Sequence, residues 1–121
     1  MNFQKLYGTL DQIIDEAVAT DETVVVYTVP AGKKFDLVEA MLVTDAGATG
    51  TGSVEIRSPA DAHIRHLCHM DVRENNKGVV PADHFQPCYP LTLTAGQDIA
   101  VVSDSASLEA QCDIFGFESD A

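Results

Sequence analysis

The chain of 121 residues sets seven Lys and Arg against nineteen Asp and Glu, a net charge of −12. Bases so few and so scattered cannot replace the counterions of a nucleic acid, which argues against DNA or RNA as the main partner. No apolar run approaches the ~20 residues of a membrane-spanning helix, so no membrane partner is expected either. Hydrophobic residues make up 45% of the chain, enough for one packed domain. The acidity is expected to serve solubility and resistance to non-specific association, ahead of an outward-facing coat or a salt-adapted source.

Residues 1–20 admit two readings. Leu6, Leu10, Ile13, Ile14, Ala17 and Val18 fit helical spacing, whereas Tyr7-Gly8-Thr9-Leu10 reads equally as a strand. The segment is expected to be either an N-terminal arm docking on a neighbour or the first element of the core. Met1-Asn2-Phe3-Gln4-Lys5 lacks the pattern of a signal peptide, which predicts synthesis in the cytoplasm.

From residue 21 to 121 a β-sandwich domain is expected. Residues 22–29 predict a strand, and the turn Pro30-Ala31-Gly32-Lys33 follows. Glycine there supplies the positive φ that a type II turn needs at its third position. The strand predicted over 34–44 places Phe35, Leu37, Met41 and Val43 on one face and Val38, Ala40 and Leu42 on the other. Apolarity on both faces points to burial on both sides, or to a core on one side and a subunit contact on the other. A glycine-rich loop is expected over 45–52, then a strand in which Val54 and Ile56 point inward.

Beyond the break at Ser58-Pro59-Ala60-Asp61, alternation predicts Ile64, His66, Cys68, Met70 and Val72 on one face, with His63, Arg65, Leu67, His69 and Asp71 on the other. Glu74 to Gly78 is a turn signal, and Pro81, Pro87 and Pro90 make 79–90 irregular or an edge. Strands near 91–94, 98–103 and 108–117 close the domain, with the turn at Ala95-Gly96 echoing the first. The fold class is therefore all-β, an antiparallel sandwich of seven or eight strands.

Candidate chemistry is sparse. His63, His66 and His69 recur every third residue, with His84 beyond them. On a strand with regular alternation, His63 and His69 would share a face roughly 20 Å apart while His66 opposed them, too far to share an ion. Hydrogen-bonded or solvated histidine is the commoner outcome, so no metal and no cofactor is expected. A cupin-like His-x-His with a following Glu is missing. The loop Gly47 to Ser53 lacks the Gly-Lys-Ser/Thr ending of a phosphate cradle, and no Gly-x-Ser-x-Gly elbow exists. Asp15-Glu16 and Asp21-Glu22 are expected in surface turns rather than paired across a cleft. Cys68, Cys88 and Cys112, an odd set, read as free thiols rather than a disulfide framework, and Cys112 as a core residue. No catalytic residue is expected.

The order of these features resembles a group of small tailed-phage virion proteins. The matching pieces are Tyr7-Gly8-Thr9-Leu10, Tyr27 to Lys33, Phe35 to Val43, Leu91 to Val101, and Ile114-Phe115-Gly116-Phe117-Glu118. The resemblance spans most of the chain, though each motif is short; the histidine-rich middle and Gln97 before Asp98 depart from the pattern. It implies a jelly-roll-like sandwich, a homotrimer without enzymatic activity, and a place on the outer capsid surface of the virion as a decoration (cement) protein bound to the major capsid protein. Leu6, Leu10, Ile13 and Ile14 would then form the partner-binding arm. Two rivals are a fibre- or tail-associated module recognising a host surface, and a small metalloenzyme built on the histidines. The first is poor in aromatic platforms, with no Trp and only Tyr7, Tyr27 and Tyr89 as tyrosines.

Overall fold

The computed structural model describes residues 11–45, 49–72 and 82–121, and every regular element in them is a strand. Nine are present: β1 (Asp11–Thr20), β2 (Thr23–Thr28), β3 (Lys33–Thr44), β4 (Gly50–Arg57), β5 (His63–Val72), β6 (Ala82–Phe85), β7 (Leu91–Thr94), β8 (Asp98–Ser103) and β9 (Glu109–Asp120). The larger sheet runs β1-β9-β3-β6, with β7 also pairing β3, and the smaller runs β2-β8-β4-β5. All pairings are antiparallel. The two sheets pack face to face over a core that includes Phe35, Leu37, Leu42, Val54, Leu93, Ile99, Val101, Cys112 and Ile114.

Two strands add to the predicted segments: β1, from the N-terminal segment that admits helix or strand, and the short β6, within the irregular or edge stretch 79–90. All ten residues of β1 pair with β9, from Asp11 opposite Glu118 to Thr20 opposite Glu109. That ladder satisfies the backbone of a segment whose spacing suits helix or strand, and pairing decides for the strand. Ile13, Ala17 and Ala19 turn to the core, and Ile14 and Val18 face out. Residues 1–10, and with them Leu6 and Leu10, lie outside the described residues. Asp15-Glu16, expected in a turn, sits mid-strand in β1. Gly50 to Gly52, expected in a loop, opens β4, where Gly52 pairs with both Met70 and Ser103.

Face assignment along β3 differs from strict alternation. Its register against β9 shifts between Leu37 and Glu39, so Val38 is an extra residue and the parity changes there. Phe35 and Leu37 point inward before the bulge, and Ala40, Leu42 and Thr44 do so after it. Met41 and Val43, expected on the side of Phe35, lie on the outer face. The bulge also falls where the opposite edge of β3 changes partner, from β7 (at Lys34 to Leu37) to β6 (at Ala40 to Val43).

The two Ala-Gly turns close as expected. Lys33 N–H donates to the Pro30 carbonyl at 3.2 Å and Gln97 N–H to the Thr94 carbonyl at 3.1 Å. Gly32 and Gly96 have φ of +77° and +85°. The turns also clasp each other: Val29 N–H donates to the Gln97 carbonyl at 3.0 Å, and Gly96 N–H donates back to the Val29 carbonyl at 2.9 Å. Beside them Arg57 holds Asp98 through two bonds of 2.8 and 3.0 Å. Asp98 is buried, and this bidentate charge-assisted pair satisfies its carboxylate where β4 meets β8.

Phe35 packs over Gly116 of β9. A Cβ at Gly116 would lie 2.4 Å from both the Asp36 carbonyl oxygen and Phe35 Cζ. The Phe35 ring in turn meets Tyr27 of β2 at a centroid distance of 4.6 Å, and the Tyr27 hydroxyl donates to Glu118 of β9. This chain of contacts ties the two sheets together. Gly116→Ala is expected to cost about 3 kcal/mol, because a backbone carbonyl must move as well as a ring. Gly32→Ala meets open space and carries only the left-handed backbone penalty, about 1–2 kcal/mol. Urea unfolding of both variants checks this; equal losses would show that Phe35 does not need the space over Gly116.

Candidate functional site

Two outer faces carry the residues of interest. On the larger sheet, the outward positions of β1 and β9 meet in register: Ile14 opposite Phe115, Gln12 opposite Phe117, Glu16 opposite Asp113. Ile14 is 72% exposed and Val18 44%. Phe115 and Phe117 stand edge to face at 5.4 Å, and on β3 the half-buried Met41 and Val43 lie on the same outer face, opposite Asp113 and Gln111. A shallow groove lined by Ile14, Asp15, Glu16 and Asp113 runs along this edge. Like charges directly opposite on a sheet are mildly unfavourable, so Glu16 against Asp113 is a local cost that the pairing tolerates. Of the four residues expected to bind a partner, Ile14 alone among the described ones presents its side chain outward. Ile13 packs against the core instead, because it lies on the inward parity of β1.

The histidines lie on the outer face of the smaller sheet, and here regular alternation fails. The register of β5 against β4 shifts between Val54 and Glu55 and again between Ile56 and Arg57, making Leu67 and Ile64 the extra residues of β5. Arg57 therefore faces His63, Glu55 faces His66 and Ser53 faces His69. All three histidines share one face, contrary to the expected opposition of His66. Their rings form a row, with centroids 4.6 Å apart from His63 to His66 and 5.4 Å from His66 to His69. Glu55 Oε2 lies 2.5 Å from His63 Nδ1. One ligand atom from each of Glu55, His63 and His66 falls within 4.8 Å of the others. His84 is elsewhere, paired through Nε2 with Glu39 at 2.9 Å on the larger sheet. Sequence reasoning singled out the three histidines but not Glu55, which only the β4–β5 pairing brings to them.

Two of the cysteines and Ser103 serve the fold. Cys68 and Cys112 are buried, and burial above all pushes each thiol up to about 12. That is the reverse of the activation a catalytic thiol needs. Ser103 donates its hydroxyl to the Leu108 carbonyl at 2.6 Å, closing the β8–β9 connection. The Tyr27 phenol is raised well above its ordinary range by burial and by the Glu118 carboxylate it bonds.

No protein-family model matches the chain, and no curated protein matches it closely enough to mark a relative. The geometry therefore carries the functional argument.

The thiols give a direct check. With Cys88 exposed and Cys68 and Cys112 buried, a thiol reagent at pH 8 is expected to titrate one group in the native protein and three after unfolding. The raised pKa values also set a pH dependence. Below pH 9 the thiols are neutral in both states; between about 9 and 12 the unfolded thiols ionise while the folded ones do not. Stability is expected to fall as pH rises through that window, and the Cys112→Ala variant should show a shallower fall in urea midpoints.

Proposed function

We propose that this chain is a non-enzymatic virion protein that decorates and stabilises the capsid of a tailed phage, bound to the major capsid protein as a homotrimer. The observation that carries the reading is the apolar patch on the outer face of the larger sheet, where the exposed Ile14 lies opposite Phe115, with Val18 along the same strand. Contiguous exposed apolar surface rimmed by charge marks interaction sites on soluble proteins. The rim here is acidic, from Asp15, Glu16 and Asp113. The complementary surface is an apolar pocket edged by Lys or Arg, and a shell protein that presents it many times over suits a chain of net charge −12.

The strand order supports a jelly roll as the finer description of the sandwich. Successive strands cross between sheets from β1 to β4, with β6 and β7 sharing one position against β3, and β8 and β9 returning between their neighbours. Such a body is stiff, since its turns are hydrogen-bonded to one another and its sheets are tied through Tyr27 and Phe35. The mechanism is mechanical: each copy adds buried area across a seam between capsomers, and a trimer engaging several seams gains avidity beyond any single contact. Burying Ile14 contributes about 1.5–3 kcal/mol per contact.

Immunogold electron microscopy of virus particles from the source, with antibody to the recombinant protein, tests the reading. Dense label over the head is expected. Label confined to the tail would move the chain to host-surface recognition, and unlabelled particles would end the virion reading. In a binding assay on capsids lacking the protein, Ile14→Asp is expected to weaken binding at least about tenfold while leaving the sandwich folded, since it removes an exposed apolar contact. Unchanged binding would show that the docking surface lies elsewhere.

A further inference from the structure

We propose that Glu55, His63 and His66 form a binding site for a divalent cation of the zinc class, on the outer face of the smaller sheet and independent of the docking stripe. Two imidazoles and one carboxylate are the donor set that borderline cations such as zinc prefer, whereas magnesium and calcium favour oxygen alone. The ligand atoms lie within 4.8 Å of one another. Donors bound to zinc at 2.0–2.2 Å stand roughly 3.3–3.5 Å apart in a tetrahedron, so small rotations of exposed rings complete the approach. Glu55 Oε2 and His63 Nδ1, at 2.5 Å, are already drawn together. The cation takes the place of the proton between them; for the neutral ring that proton passes by way of solvent to Nε2, leaving Nδ1 free to ligate.

The backbone arranges this set. Glu55 stands on a strand paired on both sides, by β5 and β8, with its side chain 14% exposed. Two bulges in β5 bring every third residue to the same face, which is what a row of histidines spaced by three requires. The neighbouring cation does not oppose binding strongly. Arg57 is held by Asp98 at 2.8 Å and by Asp61 at 3.3 Å, so its charge is already met. Three protein ligands leave the fourth position to water, with the His69 ring next along the row.

Isothermal titration of zinc chloride into the full-length chain, purified without a histidine tag, tests the site. One zinc per chain is expected. Glu55→Gln and His66→Ala should each weaken binding at least about tenfold, while His84→Ala should leave it unchanged. The ring of His66 is exposed and Glu55→Gln keeps the side chain's shape, so unchanged circular dichroism spectra will separate lost ligands from lost fold. No stoichiometric binding to the parent chain, or equal affinity in the Glu55→Gln/His66→Ala double variant, would overturn the proposal. Both outcomes are read without reference to virus particles.

Discussion

An extended strand turns successive side chains to opposite faces, so a strand that buries two neighbours must break its own pleat. β5 does so: Leu67 and Cys68 are both buried, and the pairing with β4 skips a residue there. The core gains two side chains where regular alternation would give one. The outer face changes as a consequence, because His66 and His69 now fall on the same side. The same device in β3 keeps Phe35 and Leu37 in the core together with Ala40 and Leu42. Packing demands thus set what each outer face displays.

β3 is the axis of the larger sheet, paired along nearly its full length with β9 and split on its other edge between β7 and β6. Its bulge lies at that split, which lets one strand serve two short partners lying end to end. Near its start, Phe35 fills the space left by Gly116, and Tyr27 from the other sheet rests on Phe35 and reaches Glu118. Aromatic cover over a strand glycine returns the packing that glycine forfeits. The link between sheets therefore depends on one residue having no side chain.

Much of the architecture was legible because its signals are local. The two Ala-Gly turns, the strands flanking them and the all-β class follow from φ requirements and alternation, and each turn stands where the residues place it. What alternation misjudged were faces: Met41 and Val43 on β3 and His66 on β5 all lie beyond a bulge, and a bulge shows only in the register with the partner strand, which a period-two reading of one strand does not contain. Ile13 and Ile14 show the same limit. Adjacent and equally apolar, they are separated only by the pairing of β1 with β9, which turns one to the core and the other to solvent. Glu55 could not be grouped with His63 and His66 from spacing, since the hairpin joining them carries two irregularities. The shared ending of the clasped turns, with Arg57 on Asp98, was likewise hidden in the separation of the residues along the chain.

The two sheets turn their outer faces in opposite directions, and those faces differ in chemistry. The larger sheet offers carbon edged with carboxylates, and the smaller a row of imidazoles beside a paired guanidinium. On the proposed reading, a copy seated by its Ile14 stripe keeps the histidine face clear of the seam, so docking and cation binding do not compete for the same surface. On the same reading the acidity would serve both, the carboxylates around Ile14 favouring a basic seat and Glu55 adding a carboxylate to the two imidazoles. A rigid sandwich is what permits this division, because neither face can relax toward the other without parting the Tyr27–Phe35 contact between the sheets.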